Sequence, residues 1–140
     1  MQNIDIAISN KKLSVEDCSD FVKEPNCGAI NLFVGTVRNQ TNKKEVTKLD
    51  FSSYEPMALK EMQKIAEKAL DKFDISKIAI HHFVGELQIG EIPVIIAVSS
   101  AHRTAGFEAC QFAIDTLKET VPIWKKEYFV DGSVWVNATP

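Results

Sequence analysis

An adjacent pair, His102-Arg103, follows one apolar run of the chain, and Arg38 follows another. Of the 16 basic residues, 14 are lysines and only these two are arginines. A guanidinium is a planar, permanently charged fork that grips a phosphate or carboxylate through two parallel hydrogen bonds. In a chain that otherwise uses lysine, an arginine marks a place where that fork is wanted. A helix expected to start near Thr104 would add unpaired backbone N–H groups and the positive end of its dipole. If the strands ending at Arg38 and His102 are neighbours running the same way, both guanidinium groups and the imidazole meet at one sheet edge. The same residues also suit plain surface positions at strand ends.

Lys118, Lys125 and Lys126 follow in the same unit, in "DTLKETVPIWKKE". A lysine desolvated among other cations can act as proton donor, base or nucleophile. Strand alternation puts Lys125 and Lys126 on opposite faces, so one of them at most joins a given pocket. Solvated lysines at a helix end and on an edge strand are the plainer alternative. His81-His82 likewise point to opposite sides of a strand. No third ligand stands at metal spacing, so the pair reads as core or interface histidines and no metal site is expected. Cys18, Cys27 and Cys110 are odd in number, far apart and without an adjacent base, which argues against a disulfide framework, a zinc site or a cysteine nucleophile.

The elements that must position these groups alternate between strand and helix patterns. "IDIAI" (Ile4 to Ile8) reads as a strand and "LSVEDCSDFV" as a short helix capped by Ser14. "AINLFVGTVR" (Ala29 to Arg38) is apolar on both faces and reads as a central strand. After the polar loop "NQTNKKE", Val46 to Tyr54 returns as its hairpin partner. Pro56 opens a helix with Ala58, Met62, Ile65, Ala66, Ala69 and Phe73 on one face. Lys77 to Gly85 is a strand, "ELQIGEI" a loop, and Pro93 to Ala101 a strand buried on both sides. The helix to Thr120 carries Phe107, Cys110, Ile114, Leu117 and Val121 as its apolar stripe, with Lys118 off that stripe. Pro122 stops it, and "IWKKEYFVDGSVWV" is a hairpin turning at Asp131-Gly132. Helices separated by hairpins make an α+β order.

At 140 residues this is expected to be one domain, 1–140, with a core that needs neither disulfide nor metal. A net charge of −3 argues against a general nucleic-acid binder. No run approaches a membrane span and the N-terminus lacks a signal-peptide pattern, so a cytoplasmic protein is expected. A phosphohydrolase or nucleotide transferase would want a carboxylate cluster for metal or a Gly-rich phosphate loop, and neither is visible.

From about Gly28 to Val136 the ordered motifs "FVGTVRN", "YEPMA", "HHFVGELQIGE", "SSAHRTAGFEACQFAIDTLK" and "PIWKKE" resemble the MoaE family, the large catalytic subunits of molybdopterin synthase. The resemblance implies an α/β-hammerhead-like fold: a mixed or antiparallel sheet with hairpins and two long helices. It implies transfer of sulfur to cyclic pyranopterin monophosphate, forming the dithiolene of molybdopterin, with no cofactor. The donor would be the Gly-Gly thiocarboxylate of a small, ubiquitin-like, MoaD-type subunit. The assembly implied is a heterotetramer built on a homodimer of large subunits. Carried over residue by residue, Thr36, Val37, Arg38, His102, Arg103, Lys118, Lys125, Lys126 and Glu127 bind substrate, and Lys118 and Lys125 are catalytic. The chain departs from the pattern in Lys126, where arginine can stand, and in the ending "WVNATP", which lacks the further basic residues of relatives that reach a neighbouring pocket. A non-catalytic module that only docks a ubiquitin-like tail is the alternative.

Overall fold

Ser14 accepts a hydrogen bond from the Asp17 N–H and starts the first helix, as its position before an acidic turn leads one to expect. The computed structural model describes residues 2–137, so residues 138–140 of the C-terminal segment and the ends of the 1–140 span lie outside the described residues. The elements run β1 (Ile4–Ser9), α1 (Val15–Val22), β2 (Ala29–Gly35), β3 (Gln40–Thr41), β4 (Lys44–Ser53) and α2 (Glu55–Lys72). They continue with β5 (Lys77–Phe83), β6 (Gly85–Gln88), β7 (Val94–Ser100), α3 (Arg103–Thr120), β8 (Ile123–Phe129) and β9 (Val134–Asn137). No helix among the described residues is long and apolar enough to cross a membrane.

Two sheets share these strands, in an α+β arrangement. The first has the order β1-β5-β7-β2, with β1 parallel to β5 and the other pairs antiparallel. The second has the order β3-β4-β8-β9, with β6 also paired to β4. Chain direction turns from one sheet to the other at Gly85, whose φ of +125° is closed to ordinary side chains. "ELQIGEI" is therefore a strand in part, not the expected loop: Gly85–Gln88 pairs with β4.

The first sheet is buried on both faces. Ala79, Ile95 and Ala97 meet Cys18 and Val22 of α1, while Ile78, Ile80, Ile96 and Val98 face α2 and α3. Every residue of β7 is buried, which accounts for its unbroken apolar run. Met62 and Ile65 of α2 are sealed in the larger cluster, each contributing about 1.5–3 kcal/mol by burial.

Two strand assignments differ from expectation. β2 is an edge strand, bonded only to β7, and Ile30 and Leu32 on its outer side stay 40% and 41% exposed. Nor does β4 return beside β2. Instead the polar loop forms its own two-residue turn, Asn42-Lys43 at φ 49° and 66°, and pairs β3 with β4 in the other sheet. On α3, Phe107 is 63% exposed and not part of the buried stripe, which runs through Gly106, Ala109, Cys110, Ala113, Ile114 and Leu117.

Candidate functional site

Between the two sheets lies a cavity of about 450 Å³, bounded by the end of β2, the last turns of α3 and one face of β4 and β8. Arg38, Lys118 and Lys125 all line it, with Glu127 as its carboxylate. Apolar walls come from Phe33, Leu49, Phe51, Val94, Ile114 and Leu117.

Arg38 is set by the residue before it. Val37 donates its N–H to Glu91 O at 2.9 Å, accepts from Gly90 N–H at 2.9 Å, and buries its side chain in the core. Thr36 and Arg38, on the other side of the backbone, are exposed and line the cavity. Val37 therefore fixes the segment and does not line the pocket as expected.

Lys118 stands in the last turn of α3, where the helix dipole favours a cation. Leu117 beside it is fully buried and anchors that turn. On β8, alternation carries Lys125 and Glu127 to the cavity face, where Lys125 Nζ lies 3.4 Å from Glu127 Oε1. Glu127 is only 3% exposed, and its Oε2 has no protein partner. Lys126 faces the other way, 5.3 Å from the Tyr128 ring centroid, so the substrate contact given to it by resemblance is not available within this chain.

The expected meeting of Arg38 with His102-Arg103 does not occur. β2 and β7 are antiparallel, with Gly35 opposite Val94 and Ala29 opposite Ser100. The strand ends that carry Arg38 and His102 thus lie at opposite edges, roughly 20 Å apart for strands of this length. α3 runs back over that gap, so its N-terminal end carries His102 and Arg103, and its C-terminal end serves the cavity.

His82, which the sequence leaves as a core or interface histidine, also lines the cavity. It is fully buried, its Nδ1 is 2.8 Å from Phe83 O, and burial pushes its pKa down to about 4. The signal for it was one of register: it precedes the glycine corner between the sheets by three residues. His81 points the opposite way, to Asp5 at 2.8 Å and the Cys18 sulfur at 3.4 Å.

Burial pushes the Cys18 and Cys110 thiols up to about 11, so neither is a thiolate near pH 7. Among the described residues no group of three His, Cys, Asp or Glu is placed to hold a metal ion. What the cavity offers is a half-open cleft with three convergent cations, suited to an anionic ligand with an apolar body.

A family model described as "MoaE protein" matches residues 8–120. A Homo sapiens protein named molybdopterin synthase catalytic subunit is 48% identical over 130 residues, covering 93% of this chain and 69% of its own. A Dictyostelium discoideum protein of the same name is 44% identical over 130 residues, covering 91% of this chain and 82% of its own. The crystal structure of a molybdopterin synthase from Staphylococcus aureus superposes with a TM-score of 0.87 at 35% identity, covering 98% of both chains.

Proposed function

This chain belongs to the MoaE family, and from that membership and its cation-lined cleft we infer that it is the catalytic subunit of a molybdopterin synthase. Its reaction moves two sulfur atoms, one from each of two thiocarboxylated C-termini of small ubiquitin-like subunits in turn, onto cyclic pyranopterin monophosphate; water releases each tail as a carboxylate, and the dithiolene of molybdopterin results. The observation that carries this reading is the convergence of Arg38, Lys118 and Lys125 on one cavity.

Arg38 holds the phosphate, with Thr36 beside it. Lys118 and Lys125 stabilise the charge that develops as the thiocarboxylate sulfur attacks and the cyclic phosphate opens, and they carry protons between the reacting groups. The protonated, buried thiols of Cys18 and Cys110 fit a reaction whose sulfur arrives from outside. The small subunit delivers its extended tail into the cleft. The cytoplasm, where three free cysteines stay reduced, is the expected setting.

His102 and Arg103 enter through a second copy. The open edge of β2, with Ile30 and Leu32 exposed on the strand and Leu32 sharing a surface cleft with Phe107, is the kind of apolar edge that pairs with a partner strand. Antiparallel pairing of two β2 edges about a two-fold axis sets the Ala29 end of one against the Gly35 end of the other. His102 and Arg103 of each copy then approach the partner copy's cleft and supply the cations that its own chain holds too far away.

The test is reconstitution: purified protein, thiocarboxylated small subunit and cyclic pyranopterin monophosphate, with molybdopterin followed as its fluorescent oxidation product. Wild type forms product, and Lys118→Ala, folded and still binding the small subunit, forms none. Absence of product from wild type that binds the small subunit would leave a docking module without chemistry.

A further inference from the structure

Four buried side-chain atoms among the described residues have no protein hydrogen-bond partner: Asn31 Oδ1, Ser99 Oγ, His82 Nε2 and Glu127 Oε2. Asn31 packs beneath Gly106 of α3. His82 and Glu127, by contrast, line the same cavity. Both of the atoms there are acceptors. The Phe83 carbonyl can only accept, so the His82 proton sits on Nδ1, and Nε2 presents a bare lone pair. With its pKa down near 4 the ring is neutral at pH 7, so it is no fourth cation for the phosphate. A buried acceptor left without a donor is costly, and each one calls for a partner or a functional reason.

The cavity therefore makes two opposite demands. Its rim of Arg38, Lys118 and Lys125 asks for an anion, whereas His82 and Glu127 ask for hydrogen-bond donors. Resting on the synthase reading, we propose that His82 is a specificity-determining residue: its Nε2 accepts a hydrogen bond from an N–H group of the substrate's pterin ring, with Glu127 Oε2 as second acceptor. A pterin presents an exocyclic amine and ring N–H groups together on its pyrimidine side, away from the phosphate, so one ligand meets both demands. Neither atom is open even to a water-sized group in the cleft, so the pterin reaches them only as the neighbouring side chains give way. The Phe51 ring, edge-on to the imidazole with centroids 5.4 Å apart, shifts as the pterin enters.

The experiment uses the full chain, labelled with ¹⁵N-histidine, and cyclic pyranopterin monophosphate, with inorganic phosphate as a separate probe. The His82 Nε2 resonance moves upfield when the pterin binds and stays put with phosphate alone. In calorimetry His82→Phe weakens pterin binding on the order of ten-fold while phosphate binding is unchanged. His82→Gln, whose amide oxygen reaches near the Nε2 position, keeps most of the affinity and guards against a misfolded Phe variant. An Nε2 signal that is already hydrogen-bonded without ligand and does not move on pterin binding overturns the proposal, as does equal pterin affinity in His82→Phe. Wild type that binds phosphate and no pterin instead defeats the synthase reading, and this proposal falls with it.

Discussion

Replacing Lys125 with methionine isolates how much of its role is electrostatic support for Glu127. Glu127 is 3% exposed and Lys125 is its ion-pair partner at 3.4 Å, while the Lys125 side chain itself keeps 20% of its surface. Breaking a sealed pair by removing one partner costs about 3–5 kcal/mol, and an exposed pair is worth about 1 kcal/mol or less. This pair lies between those limits, because the ammonium is partly hydrated and the carboxylate is not. Lys125→Met, which keeps the aliphatic stem, should therefore lose about 2 kcal/mol. At about 4 °C per kcal/mol for a chain of this size, Tm falls by about 8 °C. Glu127→Gln in the same chain removes the stranded charge, so the double variant recovers more than half of the loss in urea denaturation. It melts near wild type and still forms no molybdopterin, which separates the catalytic from the structural duty of Lys125. If Lys125→Met loses less than about 0.5 kcal/mol, or the two losses simply add, the carboxylate does not depend on this lysine and the argument fails.

Three further outcomes follow from particular residues. A Cβ at Gly106 would overlap Asn31 Oδ1 and lie 2.9 Å from Ser100 Oγ, so Gly106→Ala loses about 1–2 kcal/mol by chemical denaturation even though alanine favours the helix by about 1 kcal/mol. His82 has a folded-state pKa of about 4 against 6.5, so the unfolded chain takes up its proton first; this contribution is present above pH 6.5 and is lost as pH falls toward 4, by about 3 kcal/mol in all. Denaturation at pH 7 and pH 5 should show about 2 kcal/mol of that loss in wild type and a shallower one in His82→Phe. Lys43 holds φ 66° in the β3–β4 turn, so Lys43→Gly should raise stability by about 0.5 kcal/mol or more in thermal melts; a decrease would mean that the side chain does more than strain the turn.

The sequence carried the local structure well because local pattern and burial agree. The α2 face of Ala58, Met62, Ile65, Ala66 and Ala69 is the buried face, and Asp131-Gly132 turns the β8–β9 hairpin. Which strand lies beside which is not a local property, and there the reading failed. β2 looks central because both of its faces are largely apolar, and the pattern of the faces does not say whether another strand of this chain is bonded to the free edge. The turn at Asn42-Lys43 lacks the usual glycine, which hid the hairpin that draws β4 into the second sheet. For the site, residue type picked out Arg38, Lys118 and Lys125 and the resemblance added Glu127, and the fold brings all four to one cavity. Direction of pairing decided the fate of His102 and Arg103, and His82 emerged only once the corner at Gly85 was seen.

The antiparallel register of β2 on β7 has a genetic consequence. In the proposed dimer the two halves of a complete site stand on different copies, so a lesion in one half is not equivalent to a lesion in the other. Coexpressed Arg103→Ala and Lys118→Ala chains would form mixed dimers with one site doubly damaged and one wholly intact. Two inactive alleles would then complement each other to at most half of the wild-type activity per mixed dimer, whereas two alleles damaged in the same half would never do so.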